Sequence, residues 1–287
     1  MSENQSIQKF VKSINEIYSI PSVALKVIQQ ISDPEVKIKD LSDLIKTDMA
    51  LTANILKVVN SGYFNFHDEI VTIKKAIVLL GLKLTKEITI SFAVKSLMKG
   101  MTEISKIDYK TIWMHSAYCA VFAKKLGDYF NLDGDSLYIS GLLHDLGILV
   151  EILYDSEKMN QIMTEVNESK APFYIKEKEY WDINHSQVGE LLLETWNIAP
   201  AIRIPVRYHH NIDNIPAKYK SEENKIKMVY FANVLAHLYL DNSVFYRDLI
   251  TEESLDKIGI GDEAFWDIYD QFCDDIKAEE ELISLLI

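Results

Sequence analysis

The chain has 287 residues, with 30 Lys+Arg against 43 Asp+Glu and a formal net charge of -13. Hydrophobic residues make up 48% and charged residues 25%, the balance of a folded globular protein, which excludes disorder as the main state. Ten Gly and six Pro are too few for the many turns of an all-β chain, and the acidic total argues against non-specific nucleic-acid binding.

Apolar positions recur at three and four residues rather than two, so the chain reads as all-α. A first helix starts after Ile20-Pro21 and carries Val23, Val27, Ile28 and Ile31; Asp33-Pro34 ends it. Leu41, Leu44 and Ile45 form the stripe of a second helix, and Asp48 is an N-cap for a third with Leu51, Ile55, Val58 and Val59. Asn60, Ser61 and Gly62 supply a stop. Thr72 caps the next helix, which carries Ile73, Ile77 and Leu80 and ends at Gly81. Residues 83–99 follow as helix. Their run ITISFAV is rich in β-branched residues and admits a strand, but length and helical neighbours favour helix.

Further elements are expected at Trp113 to Phe130, at Leu137 to Leu153, after Asn184 or His185, at Lys225 to Leu240, and over 262–285. Ala199-Pro200 and Pro205 should interrupt the stretch between the last of the histidine segments. The charge divides the chain: residues 1–105 hold 13 basic and 11 acidic side chains, residues 106–287 hold 17 and 32. With Gly100, this suggests three parts, an N-terminal helical subdomain (1–105), a second helical subdomain (106–215) and a C-terminal helical extension (216–287).

Two cysteines, Cys119 and Cys273, make no disulfide framework. The N-terminus MSENQSIQKF lacks the apolar core of a secretory signal, and no run approaches the ~18 apolar residues of a membrane span. A cytoplasmic protein with no membrane contact is expected.

Histidines carry the chemical signal. His115 lies in IWMHSAY, His144 and Asp145 in GLLHDLGIL, His185 in NHSQVGELL, and His209-His210 in RYHHN. Imidazole and carboxylate suit iron, manganese, nickel or zinc. Adjacent His144 and Asp145 share a helix face poorly, yet they can serve neighbouring metal positions, or one can bind while the other orients a ligand. Gly189, one turn after His185, would let another backbone approach closely. His209-His210 follows Pro205 at a helix end, where both rings could reach inward from a turn.

The ordered series resembles the HD superfamily of metal-dependent phosphohydrolases. The segments IYSIPSVALKVIQQISDPEVKIKDLSDLIKTDMALTANILKVVNSGYF and TIKKAIVLLGL, followed by GLLHDLGILV, HSQVGELLLETWNIAPAI and VRYHHN, resemble the HDOD domain over roughly residues 10–215. The resemblance implies a helical N-terminal subdomain packed on an HD-like one, and a role in bacterial signalling. It also implies that His115, His144, Asp145, His185, His209 and His210 hold a divalent transition metal.

Departures from the active HD pattern imply a non-catalytic regulator that engages a protein partner, with a degenerate pocket that retains or lacks a metal. The late Asp of active HD enzymes corresponds to Asn233, and the lysine that follows His-Asp-x-Gly in HD-GYP phosphodiesterases corresponds to Ile148. No GYP-like sequence follows His210; Asp241 is a substitute carboxylate two turns from Asn233. The alternative is a phosphohydrolase acting on a nucleotide or cyclic dinucleotide, with Lys124, Arg203 and Arg207 as candidate phosphate clamps. A homodimer and a nucleotide ligand remain open; nucleic acid is disfavoured. Lysines between residues 72 and 100 read as solvated helix faces. Tyr63, Phe64 and Phe66 read as core or partner site. Residues 262–282, nine acidic against one lysine, read as an amphipathic helix that closes the domain or docks a partner.

Overall fold

A computed structural model describes residue 10, residues 22–31, 33, 35–102, 109–169, 171–241 and 243–286. The expected start of the first helix at Ile20-Pro21 and the boundary at 105/106 lie outside the described residues, as do Pro34 and the side chains of Val23 and Ile31. The described residues form helices and connecting turns, with no strand among them.

The first four helices are α1 (Ser22–Ile31), α2 (Ile38–Lys46), α3 (Met49–Val59) and α4 (Ile73–Thr102). Asp48 caps α3 by accepting from the Leu51 N–H at 2.9 Å. Asn60 ends it: its side-chain amide donates to the carbonyls of Leu56 and Ile70, both at 2.8 Å, and its oxygen accepts from the Ile70 N–H. α4 is broken at Gly81, whose φ of 79° belongs to glycine. Beyond the break the ITISFAV run is helical, its Ile88, Ile90 and Val94 buried against neighbouring helices. Burial on several sides overrides the weak β preference of the branched residues.

The second group comprises α5 (Tyr109–Tyr129), α6 (Gly134–Leu143), α7 (Leu146–Tyr154), α8 (Ser156–Ser169), α9 (Phe173–Trp181), α10 (His185–Thr195) and α11 (Pro200–Tyr208). α5 packs on α6, α7 crosses α10, and α11 lies against α10 and α6. α4 joins the two groups through α5, α6 and α7, and one apolar core, from Phe10 to Leu286, spans both.

Two local expectations are corrected. Leu137 to Leu153 is two helices, because the chain turns at His144-Asp145, where Asp145 has φ -97° and ψ 10°. Pro205 sits inside α11 rather than interrupting it, and Pro200 occupies the helix start, where its missing N–H costs nothing. Burial of Ile202, Ile204 and Val206 holds α11 together despite the hydrogen bond that Pro205 cannot donate.

After a short 3₁₀ segment (Ala217–Glu222) come α12 (Glu223–Asp241), α13 (Val244–Arg247), α14 (Glu252–Asp256), α15 (Asp262–Ala278) and α16 (Glu280–Leu286). α12 packs along α5. The expected 262–285 helix is divided at Glu279. α15 buries Phe265, Ile268, Phe272 and Ile276 and meets α5; α16 turns back so that Leu282 and Leu286 join the α4 core. The acidic segment thus closes the fold with its apolar face. Tyr63, Phe64 and Phe66 pack on one another at the surface, with Phe64 half-buried against the core.

Residues 134–154 form the one stretch, among those described, that is long and apolar enough to cross a membrane (mean hydropathy 1.5). It is 83% buried inside the fold and bends at His144-Asp145. Its apolar character is that of a core element.

Candidate metal centre

The turn at His144-Asp145 resolves the difficulty of adjacent ligands. His144 ends α6 and Asp145 precedes α7, so both side chains face one buried point. His115 comes from the middle of α5 and His185 opens α10. His209 and His210 follow the end of α11, where the loss of helical spacing lets neighbouring rings face the same way. Asn184 caps α10, and its N–H donates to the Gln187 side chain at 3.2 Å.

All six expected residues converge. Asp145 sits between two sets. Its Oδ2 is 3.1 Å from His144 Nε2 and 3.7 Å from His115 Nε2; its Oδ1 is 3.3 Å from His185 Nε2 and 3.7 Å from His209 Nε2. His185 Nε2 is 3.2 Å from His209 Nε2 and 2.9 Å from His210 Nε2. One carboxylate therefore faces a His115–His144 group and a His185–His209–His210 group, each compact enough to hold a metal.

Tautomers sharpen this fit. His144 donates Nδ1–H to the Gly141 carbonyl at 2.7 Å, His209 to the Val206 carbonyl at 2.6 Å, and His185 to the Glu177 carboxylate at 2.7 Å. A neutral ring that donates from Nδ1 presents a lone pair at Nε2. Three such Nε2 atoms point into the cluster. Burial lowers His144 and His185, but Asp145 beside both and Glu177 beside His185 raise them, so a metal would displace a proton from these two while His209 offers its lone pair directly. Nitrogen ligands at ~2.0–2.1 Å from one cation stand about 2.9–3.4 Å apart, so a divalent transition ion fits these donors. Bound there, it would act as a Lewis acid toward a coordinated ligand.

His115 departs from this scheme. Its Nε2 donates to Asn233 Oδ1 at 2.8 Å, and its buried Nδ1 has no hydrogen-bond partner. Burial holds His115 down to about 4 despite the nearby Asp145, so the ring is neutral. With an amide at 233, this half of the cluster is weaker in charge than the half around His185.

The electrostatics of that second half are set by burial and then by carboxylates. Burial pulls His185 down, but Glu177 and Asp145 overcome it and carry the ring up to about 9. Burial pushes Asp145 upward, yet His144 and His185 hold it well below the usual carboxylate range. Glu151 lies behind Glu177, and burial followed by the Glu177 charge raises it well above that range, so it stays protonated. Glu177 also accepts from the His185 backbone N–H at 3.2 Å. It orients His185 in the manner of a carboxylate–histidine–metal triad.

Several contributors carry no local sequence signal: Glu177, Glu151, Tyr174 and Tyr246 reach the site only through tertiary packing. Tyr174 stacks on His210 at 4.3 Å between ring centroids, and Tyr246 on His237 at 3.6 Å. His237 was findable, because it is one helical turn from Asn233 on α12 and shares its face. Its ring centroid lies 4.0 Å from that of His115.

The candidate phosphate clamps point elsewhere. Lys124 pairs with Glu87 at 2.5 Å, Arg203 with Glu190 and Glu194, and Arg207 with Glu190. The substitute carboxylate Asp241 is mostly exposed and stands 3.9 Å from His237 rather than at the cluster. Gly147 and Gly189 let α7 and α10 cross in close contact, as the glycine after His185 suggested.

Comparisons with known proteins agree with this architecture. The chain is 28% identical over 239 residues to an uncharacterized protein of Treponema pallidum (strain Nichols), covering 82% of this chain and 45% of that one, so it spans less than half of that relative's length. A crystal structure of an HDOD domain protein of unknown function from Geobacter sulfurreducens superposes with a TM-score of 0.76 at 24% identity, covering 99% and 97% of the two chains. A proposed phosphohydrolase from Shewanella amazonensis SB2B gives 0.70 at 17% identity over 97% and 96%. A proposed signal transduction protein from Marinobacter aquaeolei VT8 gives 0.75 at 17% over 99% and 64%. Residues 17–212 match the HDOD domain family, and the chain belongs to it.

Proposed function

We propose that this chain is a bacterial signalling module that holds a divalent transition metal at the His/Asp cluster, engages a protein partner, and does not turn over phosphoesters. The observation that carries this reading is a contrast within one pocket. Five histidines converge around Asp145, yet among the described residues no Lys or Arg lines the cavity above them. Phosphoryl transfer needs preorganised positive charge around the equatorial oxygens as well as a metal-bound nucleophile. Ile148 stands in the cavity wall, and the three cations that could have served are paired with carboxylates outside it. The likeness to a proposed signal transduction protein is consistent with a regulatory role.

Phosphohydrolysis is the competing reading, favoured by the two ligand groups that share Asp145, since two-metal sites catalyse in-line displacement. The deciding experiment is elemental analysis of the purified chain together with a hydrolase screen on a phosphodiester, a nucleotide and a cyclic dinucleotide. Bound metal without turnover is expected. Hydrolysis that disappears in His144→Ala and Asp145→Ala would overturn the assignment.

A further inference from the structure

The cavity above the histidine cluster has a volume of about 200 Å³ and two unlike ends. Its floor presents Asp145, His185, His210 and Asn233. Tyr174 and Tyr246 flank that end, stacked on His210 and His237. Apart from Thr111, the wall away from it is apolar, with Ile112 from α5, Ile148 and Ile152 one turn apart on α7, Met159 and Met163 one turn apart on α8, and Phe173 at the start of α9. Met163 is 39% exposed and marks the rim, whereas Met159 and Ile152 are fully buried beneath it. Two thioethers in one wall make it adaptable in shape.

This lining is unlike that of a phosphate site. A phosphate monoester carries two charges and several acceptor oxygens that demand donors, and isoleucine and methionine supply none. A ligand that matches both ends has a single polar head and an apolar body. A dry cavity of ~150 Å³ accommodates benzene, so about 200 Å³ has room for a body of roughly six to eight carbons.

We propose that this cavity binds a medium-chain monocarboxylate, with its carboxylate at the histidine floor and its alkyl chain along the isoleucine and methionine wall. The head-group end rests on the metal-holding reading above; the alkyl end rests on the wall alone. Ligand occupancy would then reach α7, α8 and α9 together, because each contributes to the wall.

The test is calorimetric titration of the full chain, loaded with Mn²⁺ and checked for metal content, with butyrate, hexanoate, octanoate and inorganic phosphate. Affinity should rise about threefold to fourfold per added methylene, as burial of a CH₂ predicts, and level off near eight carbons when the cavity is full. Octanoate should bind more tightly than phosphate. Met163→Trp, at the half-open rim, should abolish the chain-length dependence while the metal content stays unchanged. Ile148→Lys should shift the preference toward phosphate. Metal retained with no chain-length dependence, or with phosphate preferred by the unaltered chain, overturns the ligand assignment and leaves the metal-holding reading intact. A length dependence that survives Met163→Trp also overturns it, since the alkyl chain would then lie elsewhere. A chain that retains no metal removes the basis for both.

Discussion

Gly147 stands directly against the backbone of His185: a Cβ built on Gly147 would lie 1.9 Å from the His185 carbonyl oxygen and 2.8 Å from the Gly189 nitrogen. Both obstacles are backbone, so they have no rotamer by which to move aside. The contact sets how near α7 comes to α10, and therefore how near Asp145, two residues before Gly147, comes to His185.

Gly147→Ala should separate the two helices and widen the Asp145–His185 spacing of 3.3 Å. Overpacking of this kind costs about 1–3 kcal/mol. A clear fall in melting temperature is expected, together with loss of metal during gel filtration. Unchanged metal retention would show that the crossing does not set the ligand spacing.

Glu177→Gln tests the residue behind His185. The amide keeps the shape but removes the charge that fixes the Nδ1–H tautomer. Metal affinity should fall by about 10–100-fold, measured by competition with a chelator, with the helical signal preserved. Equal affinity would make Glu177 a packing residue only.

Asn233→Asp places a carboxylate where the amide oxygen now meets His115 Nε2 at 2.8 Å. It should strengthen the His115–His144–Asp145 group and raise the metal stoichiometry per chain under limiting metal. Hydrolysis should remain absent, because the substitution adds no cation to the cavity.

In the metal-free protein, acid should be destabilising from pH 6.5 down to about 4. Burial holds His115 at about 4, and keeps His209, His210 and His237 well below their ordinary range. Below pH 6.5 the unfolded chain binds protons that these folded-state rings refuse, so stability falls with falling pH. Raised Glu151 and Glu87 act in the opposite sense, because the folded state holds their protons longer, but the four histidines outnumber them. His185, raised to about 9, contributes stability that is complete below pH 6.5 and is lost as pH climbs toward 9. Melting temperatures across pH 4–9 should therefore peak near pH 6.5, and an acid-stable plateau down to pH 4 would contradict the burial of these rings.

By itself the sequence determined the helical class, and its resemblance to the HDOD domain named the residues of the candidate cluster. Apolar spacing of three and four residues marks a helix wherever one face is buried, and Asp48, Asn60 and Gly81 end or start helices through bonds and dihedrals made within a few residues. Imidazole and carboxylate are visible as ligand types in the chain, but their long spacings form no local motif, and only the order of the segments, through the family resemblance, joined them into one candidate set. Tertiary structure decided the rest. The chain turns at His144-Asp145 and α7 then crosses α10 at Gly147, and no period in GLLHDLGILV encodes that crossing. Glu177 and His237 belong to the site, and Lys124, Arg203 and Arg207 do not, because the α5, α9, α10, α11 and α12 surfaces meet in one particular way. A side chain's type is written in the chain, but its neighbours are set by long-range apolar burial, which depends on area removed from water and leaves no short-range pattern of its own.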